Sequence, residues 1–73
     1  MDYRKHIGCN PDILLGKPVI KGTRISVELI LKKMAEGISN EALMEAYPSL
    51  TRKDINAVLA YSADVIALEE FIA

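Results

Sequence analysis

Cysteine, histidine and long apolar runs are what this sequence has least of. Cys9 is the only cysteine, so no disulfide can form within the chain, which fits a reducing compartment. His6 is the only histidine. It stands at H-x-x-C spacing from Cys9, but two ligands do not make a tetrahedral zinc site, and both residues read as ordinary packing and surface positions. The stretch GKPVIKGT contains Gly and Lys without the GxxxxGK[ST] order of a phosphate-binding loop. The acidic residues fall mostly on exposed helix faces, where solvation accounts for them. With so little to build a site from, no catalytic residue, metal or cofactor is expected, and the chain does not read as an enzyme. Nor is there an apolar run long enough to span a membrane, and Met1-Asp2-Tyr3-Arg4 begins no secretory signal. The expectation is a cytoplasmic protein with no membrane association. Internal repeats, linkers and low-complexity segments are missing too.

What is present is a single domain of 73 residues, near the lower size limit for a self-sufficient core. Its apolar fraction of 51% is high for so small a chain, so some apolar surface is expected to face another subunit. The net charge of −1 conceals an asymmetry: residues 1–33 hold seven Lys or Arg against three Asp or Glu, residues 34–73 two against seven. A basic front and an acidic back could serve a polyanion on one side and a protein on the other.

Residues 1–25 read as a β-ribbon arm and 26–73 as helices. Gly16-Lys17 lies between the apolar runs Ile13-Leu14-Leu15 and Val19-Ile20, which predicts a hairpin turning at Gly16. Gly22-Thr23 breaks the extended run, and Ser26 stands as the cap of the first helix. Val27, Ile30, Leu31, Met34 and Ala35 form that helix's inner face, opposite Glu28, Lys32 and Glu36, and Gly37 follows as its terminator. Ser39 caps a short second helix with Ala42, Leu43, Ala46 and Tyr47 inward, and Pro48 ends it. Thr51-Arg52-Lys53-Asp54 has the form of a capping box. The third helix is expected to bury Ile55, Val58 and Leu59. Its apolar pattern continues to Ile72, with Ser62 the expected place for a bend or stop. The fold class is therefore mainly α: three to four helices preceded by a short N-terminal β-hairpin.

Residues 39–61, a short helix, a proline turn and a longer capped helix, have the layout of a helix-turn-helix. Arg52 and Lys53 could reach phosphate or guanine, Asn56 could pair with adenine, and Ala57 and Ala60 would allow close approach. Lys17, Lys21 and Arg24 of the ribbon could add phosphate contacts. The patch is thin, and a pI near 5.7 does not favour nonspecific DNA binding. Along the last helix Val58, Tyr61, Val65, Leu68 and Ile72 form one stripe and Leu59, Ile66 and Ala73 a second. With Phe71, that end is expected to serve as a homodimer or partner interface.

The stretches GKPVIKGTRISV, Gly37-Ile38-Ser39, Tyr47-Pro48-Ser49-Leu50-Thr51-Arg52-Lys53-Asp54-Ile55 and Ala60-Tyr61-Ser62-Ala63-Asp64 resemble the domain-of-unknown-function family 433. The resemblance covers residues 7 to about 64, through the motifs "GkPvIrGTRI" and "yP.Lt..dI". It implies a homeodomain-like helix-turn-helix and, from the role of many members, an antitoxin of a type II toxin–antitoxin pair. Such an antitoxin binds a PIN-like ribonuclease toxin and operator DNA. After Asp64 the chain departs from the family's charged continuation with Val65-Ile66-Ala67-Leu68. The alternative from another class is a protein-interaction or dimerisation module whose helix-turn-helix binds no DNA.

Overall fold

The computed structural model describes the backbone of residues 1–72 and side chains as far as Leu68. A short 3-10 turn, Tyr3–Lys5, leads into β1 (Ile7–Gly8), and a second, Leu14–Gly16, precedes β2 (Val19–Ile20). Three helices follow: α1 (Val27–Ala35), α2 (Asn40–Ala46) and α3 (Arg52–Ile72).

β1 and β2 pair antiparallel, Ile7 opposite Ile20 and Gly8 opposite Val19. The N-terminal hairpin is thus present, but its turn is not Gly16-Lys17. Ile13-Leu14-Leu15 does not form a strand; the ten residues from Cys9 to Pro18 are the connection. Leu14, Leu15 and Gly16 take φ of 50°, 58° and 83°, three left-handed residues in succession. The tight turn within 16–27 lies later, where the Thr23 N–H and hydroxyl both donate to the Ile20 carbonyl, at 3.0 and 2.8 Å. Gly22 supplies the positive φ of 78° that this turn requires. The chain then runs back along β2, with a bridge from Val19 to Ser26.

The three expected caps form. Ser26 Oγ accepts from the Leu29 N–H at 3.0 Å and Ser39 Oγ from the Ala42 N–H at 3.1 Å. Thr51 and Asp54 exchange bonds reciprocally at 3.0 and 3.1 Å, a capping box with Asp in the acidic position. Gly37 ends α1 at φ 91°.

The core gathers Ile7 and Ile20 of the ribbon, Val27 and Ile30 of α1, Leu43 of α2, Leu50 of the turn, and Ile55, Ala57 and Val58 of α3. Three expectations about its faces change. Ala42 and Ala46 are exposed, and α2 contributes Leu43 with Met44 and Tyr47 at the edge. Ala35 is exposed as well. On α3, Leu59 faces out while Ala57 is completely buried, because the ribbon and the Tyr3 turn cover the side of the helix to which Ala57 belongs.

α3 does not stop at Ser62. The Ser62 hydroxyl donates to the Val58 carbonyl one turn back at 2.7 Å, satisfying itself inside the helix instead of breaking it. Tyr3 of the N-terminal turn packs against α3, its ring meeting Tyr61 edge-on at 5.6 Å and its hydroxyl donating to Asp64 at 2.9 Å. Beyond Asp64 the described side chains Val65, Ile66 and Leu68 are exposed.

Candidate functional site

The start of α3 presents the residues expected to read DNA, and the structure treats them unequally. Lys53 and Asn56 are exposed in the first two turns. Arg52 is engaged: its guanidinium donates to Glu41 of α2 at 2.6 Å, tying the two helices of the helix-turn-helix together. The hydrogen bond from Arg52 holds the Glu41 carboxyl below the usual carboxylate range. Ala57, expected to allow close approach, is core and is not available to a ligand.

The helix end itself is already served. Asp54 Oδ2 accepts the Thr51 N–H, and Asp54 Oδ1 lies 2.9 Å from His6 Nδ1. Burial pushes the Asp54 carboxyl upward, but the Thr51 N–H, the His6 ring and the Thr51 hydroxyl together hold it below its ordinary value. A carboxylate fixed at this position offers a phosphate no vacant positive end.

The ribbon's basic residues divide. Lys21 lies against β1: its N–H donates to the His6 carbonyl at 2.8 Å, and its stem crosses Gly8. Lys17 and Arg24 instead border a hollow of about 590 Å³ beside α1, with Leu14, Leu15 and Leu29. There Lys17 Nζ donates to Glu28 Oε2 at 3.0 Å, and Lys32 stands 3.9 Å from the other oxygen. The bond from Lys17, its charge and that of Lys32 lower the Glu28 pKa. No residue from 51–56 lines that hollow.

Of the expected interface residues, Tyr61 is half-buried against Tyr3, while Val65 is 39% and Leu68 61% exposed. Phe71 and Ile72 lie outside the residues whose side chains are described. Ile66 is 54% exposed. A groove of about 340 Å³ opens between α1 and α3, lined by Pro18, Val27, Leu31, Ser62, Val65 and Ile66 among others. Among the described residues no group of three potential metal ligands is gathered; His6 turns Nδ1 to Asp54 and Cys9 is exposed.

Sequence reasoning missed Leu14 and Leu15. The apolar triplet from Ile13 reads as strand, and nothing in leucine's chemistry marks a left-handed residue. The one available signal was Gly16 followed at two residues by Pro18, a turn signature.

Comparison with known proteins gives a consistent result. Residues 7–62 match the family described as "Protein of unknown function (DUF433)". The chain is 39% identical over 59 residues to the uncharacterized protein y4eO of Sinorhizobium fredii, a match spanning 81% of this chain and 27% of that protein. A crystal structure of a DUF433 member protein from Anabaena variabilis superposes with a TM-score of 0.78 at 29% identity. That alignment covers 81% of this chain and 58% of the other. The chain thus spans about a quarter of its curated relative and little more than half of its structural one.

Proposed function

The chain belongs to the DUF433 family, and from that premise we propose that it works by binding, as the antitoxin-like partner of a small PIN-like ribonuclease. The observation that carries this reading is the far half of α3. The inner stripe of the helix, Val58 and Tyr61, continues as Val65 and Leu68, which are 39% and 61% exposed. A helix with its core-facing stripe running past its own domain is built to be covered by another protein. The direct test is co-expression with a PIN-like nuclease encoded beside this gene. Complex formation and nuclease inhibition are expected with the wild-type chain and lost with Leu68→Asp. Failure of the wild type to bind the nuclease sinks the proposal.

Operator DNA is the second part of the reading, supported by the exposure of Lys53 and Asn56 at a capped helix start. The Arg52–Glu41 bond and the carboxylate of Asp54 favour the alternative, a helix-turn-helix that serves as scaffold. A salt titration on DNA from upstream of the gene separates the two. Contact with Z phosphates gives a slope near −0.9Z in log affinity against log salt, and a scaffold shows no difference between wild type and Lys53→Ala.

A further inference from the structure

The loop before β2 carries an apolar surface that the domain itself leaves unused. Leu14 and Leu15 follow one another at φ 50° and 58°, in the left-handed region where a Cβ crowds the following carbonyl. Leu15 is nevertheless 97% exposed, so the strained backbone brings its side chain almost no burial. Both leucines line the hollow of about 590 Å³ beside α1, where Leu29 supplies a third apolar side chain. Strain held in a loop at an exposed apolar surface points to a segment shaped for contact.

We propose that this hollow binds an acidic segment of a partner protein, its aliphatic side chains among the three leucines and its carboxylates on the surrounding cations. The charge around the hollow selects that occupant. Lys17, Arg24 and Lys32 line it against a single carboxylate, Glu28. Glu28 is already engaged, by Lys17 at 3.0 Å and by Lys32 at 3.9 Å. Among the described residues the Arg24 side chain has no ion-pair partner. An incoming carboxylate therefore meets the Arg24 guanidinium first, and then the remaining donors of the two lysines.

The same lining disfavours other anions. A sugar–phosphate backbone has negative charge but no aliphatic side chain to match the leucines. A flat anionic lipid surface would lay its charge over Glu28 as well as over the cations. A protein segment can set carboxylates at Arg24 and the lysines and turn an apolar side chain inward between them. The hollow is also separate from the far half of α3, on which the antitoxin reading rests: Val65, Ile66 and Leu68 do not line it.

The test uses the whole chain with neither nuclease nor DNA, so its failure is separate from failure of the antitoxin reading. The probe is a short fluorescein-labelled peptide of leucine and glutamate, with two controls carrying lysine for glutamate or serine for leucine. Fluorescence anisotropy should show the first peptide binding, more weakly as salt is added, and both controls binding at least about tenfold more weakly. Leu15→Asp should weaken the first peptide by on the order of tenfold or more, one leucine contact being lost. Arg24→Glu combined with Lys32→Glu inverts the charge of the hollow and should switch preference to the lysine peptide. All three positions are exposed, so these variants keep their fold, checked by circular dichroism. Leu68→Asp should leave peptide binding unchanged, although it is expected to release the nuclease. Amide shifts on binding should fall on residues 14–17 and 24–32. Equal binding of the three peptides, full affinity in Leu15→Asp, or shifts confined to the α1/α3 groove overturns the proposal. So does a wild type that binds none of them, including one that sediments as a dimer dissociated by Leu15→Asp, where a second copy fills the hollow.

Discussion

His6 Nδ1 lies 2.9 Å from Asp54 Oδ1, and this one bond links the edge of β1 to the cap of α3 across 48 residues of sequence. Asp54 thereby does two jobs. One carboxylate oxygen completes the capping box with Thr51, and the other receives the ribbon. Both residues are largely buried, with Asp54 only 8% exposed, so losing either bond leaves a polar group short of partners away from water. The helix-turn-helix is oriented on the ribbon through this contact and through the Tyr3 hydroxyl on Asp64.

Replacing Asp54 with Ala should destabilise the domain by about 2 kcal/mol, one cap and one charge-assisted bond being lost together. The acid dependence follows from its lowered pKa. The folded value lies below the ordinary 3.8, so the carboxylate's contribution is complete above that pH and is lost as pH falls through the folded value. Urea midpoints measured from about pH 6 down to about pH 2 should therefore drop on the acid side for the wild type. In Asp54→Asn the same limb should be flatter.

Two substitutions in the ribbon should move stability in opposite directions for one reason. Gly22, at φ 78°, has nothing within 4 Å of where a Cβ would stand, so a larger residue there meets only backbone strain. Gly22→Val should cost about 2 kcal/mol, and Leu15→Gly, relieving the same strain, should stabilise the domain by about 1 kcal/mol. Thermal melts at low protein concentration compare the two. A Gly22→Val melt equal to wild type would contradict the conformational argument.

Ala57 and Ala60 test the rotation of α3. Ala57 is fully enclosed, so Ala57→Leu should overpack the core at a cost of about 1–3 kcal/mol. Ala60 is only half-buried, and the same change there should be milder. Equal losses at the two positions would mean that the helix is turned differently.

For the DNA reading, Glu41→Ala is the informative variant. It releases the Arg52 guanidinium from its bond to the neighbouring helix. If the start of α3 contacts phosphates, the freed charge should steepen the salt dependence of binding by about one counterion, near −0.9 in slope. Fluorescence anisotropy over a salt series reads this directly. No change relative to wild type would place Arg52 and Glu41 in the scaffold alone.

The caps, the proline turn and the helix faces were legible in the sequence because they are short-range. Ser26, Ser39 and Thr51 each satisfy donors within three residues, and Gly37 terminates a helix through its own φ. Val27 and Ile30 fall inward by the helical period alone. Where several faces were open, the period could not choose. Leu59 and Ala57 differ in hydrophobicity in the direction opposite to their burial, and only the position of the ribbon against α3 decided between them.

The sequence by itself determined where helices begin, that α3 is apolar beyond the reach of so small a domain, and that the N-terminal residues pair as a ribbon. Tertiary structure alone decided which strands pair, since Ile7 meets Ile20 across a ten-residue connection that no two-residue turn signal foretells. It also decided that Arg52 is spent on Glu41, that His6 reaches Asp54, and that Leu15 stands out from the surface. The physical reason is the same in each case. A local pattern fixes what a residue can do with its neighbours in sequence, whereas partners tens of residues away are chosen by which elements the core brings together.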